Sequence, residues 1–475
     1  MLKRRNIIVA LCFLAYIVIV ILPPLIYHYV YPNNNDDTAT LLLNIGYSFK
    51  SPASANYAGY LYLGYPLLWI SHLIHTSLYQ VWLWFNLLIL IPVGFVLYFI
   101  GAKLVGWIGG LLMLSIPVFV SGGIMSYQTS GIIFSLILTT VLMLLLTYFV
   151  VKYLLEKRVY QFVLVIILTI VASTFHTTGI YIPVVAGLAL IGYLGYALFA
   201  KHRQYIRVAL LLGLSVIIIS SVSIILVTPQ TVSLTYQSIA SIFSKSVVIT
   251  NQQVAISRSY FMPFWYWLFS FVSLGVMVVL IISVCLLLKQ KIRMSNQVKL
   301  YSYLLSCWIV VLLALGFTKL PVEHIRAELD ASIVIGLIGT LLFAVSLPHI
   351  KDKMILGVVG IVLVVSVVGQ LRIWFQDNSA VKQADKEAIA YINTLNYANY
   401  NCSSTIAYWI YDNLSKIQHS DKEDGLIIMR SVKMTPDSDI NGVNYIKHGY
   451  VLIPQDVLVK SFVSDGVEVD IYEKQ

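Results

Sequence analysis

Only seven carboxylates precede Phe375 in this chain of 475 residues, and five of them fall in two short segments. The first segment holds Asp36 and Asp37, at the end of the run Asn33-Asn34-Asn35. The second holds Glu323, Glu328 and Asp330, around Arg326. The other two, Glu156 and Asp352, stand beside Lys and Arg as ordinary solvated charges. A carboxylate at a partly desolvated surface has a raised pKa and becomes a better general base. Neighbours on a helix point about 100° apart, so one of Asp36 and Asp37 can face a cavity while the other braces it. Helix N-capping, worth about 1 kcal/mol, is the structural alternative for the pair. Both roles can hold at once.

Arg326 lies just before an apolar stretch. A guanidinium grips phosphate with two parallel hydrogen bonds and does not lose its proton. Lys319 and His324 could assist such a clamp, and a local ion pair of Arg326 with Glu323 or Asp330 is the alternative. Tyr57, Tyr60, Tyr62 and Tyr65 are clustered with Gly59 and Gly64 in what reads as an ordered loop with tight turns. They could form a platform for the apolar face of a sugar, or belong to the aromatic belt at a membrane interface. His176 reads either as a polar helix cap or as a titratable group at a loop tip. No zinc-ligand spacing, phosphate-binding loop, nucleophile elbow or dinucleotide fingerprint occurs in the sequence.

The elements that must carry these groups are set by composition. Hydrophobic residues make up 59% of the chain and charged residues 11%, against roughly 25% charged in soluble domains. That argues against a soluble, fibrous or disordered class and for many spans. A bilayer-crossing helix needs about 20 apolar residues. About eleven segments qualify, near 6–28, 78–101, 104–121, 130–151, 160–175, 179–199, 208–227, 263–288, 300–317, 331–348 and 354–374. With the N-terminus inside, sixteen Lys and Arg fall in cytoplasmic segments. Five fall in the exterior loops: Lys50, Lys245, Arg258, Lys319 and Arg326. The net charge of +10 is then topological and not a nucleic-acid footprint.

The expected fold class is a polytopic α-helical membrane protein of about 11 transmembrane helices with a small C-terminal exterior α/β domain. Residues 1–375 form the membrane domain, with a long exterior loop over 29–77, and residues 376–475 the exterior domain. The latter carries 14 of the 21 carboxylates and nine of the 31 Lys and Arg. Its pattern predicts a helix over 381–396, with Ala384, Ala388, Ile389 and Ile392 on one side. It also predicts strands over 405–409, 426–429 and 450–454.

The N-terminal span, the acidic pair after it, a short amphipathic helix and Gly64-Tyr65-Pro66 ahead of the next helices together resemble the GT-C membrane glycosyltransferases. The likeness is to their protein O-mannosyltransferase and aminoarabinose-transferase branch. It covers the chain in architecture and rests on Asp36-Asp37, Gly64-Tyr65-Pro66, His176 and the Arg326 region. The resemblance implies an enzyme, a hexosyl- or pentosyltransferase of the cell envelope, in the cell membrane with its C-terminal domain extracytoplasmic. It would move a sugar from a polyprenyl-phosphate donor to an acceptor hydroxyl or amine, with inversion. Asp36 would act as base with Asp37 as its brace, Arg326 (with Lys319 and His324) would hold the donor phosphate, and the four tyrosines, His176 and Gln128 would line the substrate. Gln128 stands where many members carry another acid. The implied partners are the lipid-linked sugar, a lipid, glycan or protein acceptor and membrane lipids, with no nucleic acid. No nucleotide or redox cofactor is needed, and a divalent cation held by Asp36 and Asp37 with water is left open. A transporter or flippase, or an inactive scaffold of the same architecture, is the alternative.

Overall fold

The fold is seen in a computed structural model. It describes residues 2–26, 58–76, 88–116, 132–175, 181–199, 206–227, 274–289, 292–315, 321–350, 383–392, 399–402, 418–419, 425–432, 457–464 and 467–474, with a few isolated positions between them. The helices there, in chain order, are α1 (Leu2–Ile26), α2 (Ala58–Leu73), α3 (Leu90–Val105), α4 (Trp107–Leu114), α5 (Ile132–Glu156), α6 (Val159–Phe175), α7 (Tyr181–Phe199), α8 (Ile206–Val227), α9 (Leu274–Lys289), α10 (Asn296–Leu315), α11 (Pro321–Ser346) and α12 (Gln383–Ile392). The strands are β1 (Asn399–Cys402), β2 (Gln418–His419), β3 (Gly425–Val432), β4 (Val457–Ser464) and β5 (Val467–Lys474).

The expectation of eleven transmembrane helices is corrected. Among the described residues one helix, α8, is long and apolar enough to cross a membrane. Leu90–Val105, Val159–Phe175, Tyr181–Tyr196, Leu280–Lys289 and Val334–His349 are apolar but shorter. The physical reason is local. At 1.5 Å per residue, a helix the length of α3 spans about 24 Å, short of the ~30 Å hydrocarbon layer. Gly106, at φ +89°, ends α3 and starts α4, so the segments expected as spans two and three become a tight helical hairpin. The polytopic fold class, the multi-pass plasma-membrane placement and the function built on them, a membrane-embedded glycosyltransferase or transporter, fall with the span count.

One side of each apolar run is buried between helices. Leu90, Ile100, Met113, Leu144, Tyr301 and Leu305 are fully buried. The α3–α4 hairpin is closely packed, with Gly101 facing the backbone of Gly109. Tyr16 ties α1 to this hairpin by donating its hydroxyl to the Leu90 carbonyl at 2.9 Å.

The turn from α5 to α6 is built from polar residues. Lys157, at φ 57°, takes the left-handed conformation that ends α5. Gln161 at the third position of α6 accepts the Arg158 backbone N–H at 3.3 Å, as in a capping box. Its amide also donates to Glu156 Oε2 at 2.7 Å. Lys152 donates to the other Glu156 oxygen at 2.7 Å. The hydrogen bonds from Lys152 and Gln161 hold the Glu156 carboxyl below the usual carboxylate range. Its contribution to stability is therefore present above the unfolded pKa and fades as pH falls through the lowered folded value. Gln161→Leu should cost about 0.5–1.5 kcal/mol, the net worth of a hydrogen bond, because Glu156 and Arg158 are exposed and water can take the vacated places. Urea unfolding checks the cost, and carboxyl titration of the variant should place Glu156 nearer its ordinary value.

The C-terminal elements form one five-stranded sheet in the order β2-β1-β3-β5-β4. β1 pairs in parallel with β2 and β3, whereas β5 runs antiparallel to β3 and β4. α12 covers this sheet with Ala384, Ala388, Ile389 and Ile392, the four residues placed on its apolar side by the sequence pattern. Lys460 sits over the Tyr391 ring at 4.4 Å and fixes α12 to β4. The strand expected over 426–429 lies inside β3, while those over 405–409 and 450–454 are outside the described residues.

Candidate functional site

Asp36, Asp37, Tyr57, Gln128, His176 and Lys319 lie outside the described residues. Tyr60, Tyr62 and Tyr65 are on α2, a continuous helix with Pro66 inside it, where the sequence reading had a turn-rich loop. Tyr65 is exposed on that helix. His324 and Arg326 are in the first two turns of α11, also helical where a loop was expected. On that backbone Glu323 and Asp330 stand three residues before and four after Arg326, the spacing of neighbours on one helical face. Among the described residues no group of His, Cys, Asp and Glu is arranged to hold a metal ion.

The described residues do form one cleft that sequence reading missed. α5, α7, α8 and α10 enclose a cavity of about 100 Å³. Leu146, Thr147, Val150 and Leu154 of α5 form one wall, facing Leu300, Tyr303, Leu304 and Trp308 of α10. Ile182, Val185, Ala189 and Tyr193 of α7 stand beside Ala209, Leu212, Gly213 and Val216 of α8. For scale, a dry engineered cavity of about 150 Å³ holds benzene.

Its few polar atoms are turned onto the protein. Tyr303 donates its hydroxyl to the Ala189 carbonyl at 2.8 Å. Gly192 makes that approach possible, because a Cβ there would collide with the Tyr303 hydroxyl. Trp308 Nε1 donates to Thr147 Oγ1 at 3.3 Å, and Thr147 donates in turn to the Met143 carbonyl at 2.8 Å. What these walls offer an occupant is apolar surface.

Burial grades along three of the four walls. On α5 it runs from buried Leu146 and Thr147 to half-buried Val150 and Leu154. On α7 it runs from buried Ile182 and Val185 to half-buried Leu190 and Tyr193. On α10 it runs the other way, from half-buried Leu300, Tyr303 and Leu304 to buried Trp308. The cleft is therefore closed at Thr147, Ile182 and Trp308 and open toward Leu154, Tyr193 and Leu300. From Ile182 to Tyr193 the helical rise gives a length of about 16 Å. Next to the open end in sequence stand Lys299 and Arg207, both exposed, and neither forms an ion pair among the described residues.

The outer faces of the bundle are apolar as well. α8 presents Leu211, Leu214, Ile218, Val222, Ile225 and Leu226 outward, with Ala209, Leu212, Val216 and Ser220 inward. α6 shows Val163, Ile167 and Ile170 outside while Gln161, Thr169 and Ser173 are buried. Contiguous apolar surface of this kind marks contact with a partner or a lipid. No protein-family model matches the chain, and no curated protein matches it.

Proposed function

We propose that the helical domain binds the hydrocarbon chain of an anionic lipid in the cleft between α5, α7, α8 and α10. The observation that carries this reading is the lining of the cleft: apolar side chains along its walls, burial that deepens toward Trp308, and polar atoms already paired. A chain laid in it leaves no buried hydrogen-bonding group without a partner, and each methylene removed from water contributes about 0.8 kcal/mol. The exposed Arg207 and Lys299 near the open end suit a phosphate or carboxylate head group. The polyprenyl-phosphate lipids named by the sequence resemblance have such a chain and such a head.

α8 supplies the route. It forms one wall of the cleft, it is long and apolar enough to cross a bilayer, and only 22% of its most apolar window is buried. A core helix of similar composition would be mostly covered. With its outer face against lipid and its inner face on the cleft, α8 lets a chain move between the two without crossing water.

Titration of the full-length protein with a fluorescent polyene fatty acid should give a saturable signal that polyprenyl phosphate competes away. Ala186→Phe, which fills the middle of the cleft, should weaken binding at least about tenfold, a loss near 1.4 kcal/mol. The variant's melting temperature shows whether the fold is kept. Binding by a folded Ala186→Phe protein equal to that of the parent would overturn the assignment. The matching fatty alcohol should bind more weakly, and added salt should narrow that difference.

A further inference from the structure

We infer that Trp308, latched by Thr147, is the floor of the cleft and sets the longest hydrocarbon chain it accepts; this rests on the lipid-binding reading and specifies its substrate class. Three observations meet at this residue. Burial increases toward it along α5, α7 and α10. Its indole is 4% exposed, the least of the α10 residues on the cleft wall. Its one ring donor is engaged by Thr147 Oγ1, whose own proton goes to the Met143 carbonyl, so the ring is held in place at the buried end of the cleft. A rigid plate at that place stops a growing chain end-on. The side walls do not do this, because an added methylene can slide past Leu and Val side chains but not through an indole.

A floor makes a specific demand on affinity. Below the limiting length each added methylene strengthens binding roughly fourfold, the gain of burying it. Beyond that length the gain stops, since the extra carbon must fold back or stay in water. Removing the plate moves the limit and leaves the slope below it unchanged.

The experiment is displacement of the fluorescent polyene acid from the full-length protein by the saturated acids from butanoate to dodecanoate. The parent should show rising affinity and then a break. In Trp308→Ala the break should move to longer chains by several carbons. Trp308→Phe, which keeps a ring and loses the latch, should move it less, and Thr147→Val should broaden it. A break at the same length in a folded Trp308→Ala or Trp308→Phe protein sinks the inference while leaving lipid binding intact. Equal weakening of every chain would do the same, since that is what a merely structural tryptophan predicts. Absence of any saturable binding in the parent overturns the lipid reading itself.

Discussion

Gly101→Ala is expected to be among the most damaging single substitutions in the helical domain. A Cβ at this position would stand 2.6 Å from the Gly109 carbonyl oxygen and 2.8 Å from Met113 Sδ. The methionine can swing aside, but the carbonyl belongs to the backbone of α4 and cannot move without opening the hairpin. Overpacking of this kind costs about 1–3 kcal/mol, and more where backbone must shift. Gly187 provides the contrast. It also lies within a helix, α7, and a Cβ there would meet nothing within 4 Å. Gly187→Ala should be neutral or stabilising by up to about 1 kcal/mol, because alanine loses less freedom on folding. Thermal melts of the two variants should shift in opposite directions. Equal shifts would mean that α3 and α4 do not approach as described.

The second large effect is expected in the sheet. Ile471 on β5 is fully buried, with Ile428 opposite on β3 and Lys460 on β4. Ile471→Ala leaves a cavity between two strand pairings and should cost about 2–5 kcal/mol. Val463 on β4 is 60% exposed, and Val463→Ala should change stability by no more than about 0.5 kcal/mol. Amide hydrogen exchange in β3 and β5 is the readout. Protection that survives Ile471→Ala would show that the pairing of β3 with β5 does not depend on this contact.

Some of this could be read from the residues alone. The side of α12 that meets the sheet follows from Ala384, Ala388, Ile389 and Ile392 at helical spacing, and β3 announces itself through Leu426–Met429. β5 was legible too: Val467, Val469 and Ile471 alternate with Glu468, Asp470 and Tyr472, a period of two that the composition-led reading passed over. β4 was harder, since Val457, Leu458 and Val459 are apolar in succession and the pairing shifts register between Leu458 and Lys460.

The stops of α3 and α5 were legible to within a few residues: Gly106 and Lys157, both at positive φ, fall beside or within the breaks expected at 102–103 and 152–159. The course of α2 was not legible: its tyrosines and glycines read as a loop with tight turns, whereas Ala58–Leu73 is one helix with Pro66 inside it. The cleft was out of reach altogether. Its walls come from four helices distant in sequence, each contributing Leu, Val, Ala or Tyr that look like core in isolation. The one trace in the sequence is the small residues Ala186, Ala189, Ala209 and Gly213, which leave room where larger side chains would have closed it.

The mixed pairing of β3 has a consequence for biosynthesis. This strand meets β1 on one side and β5 on the other, and β5 is translated only after β4 has been made. As the polypeptide leaves the ribosome, one entire margin of β3 has no mate until residues 467–474 follow. During that interval Leu426–Met429 is a ready template for sticking to other nascent chains.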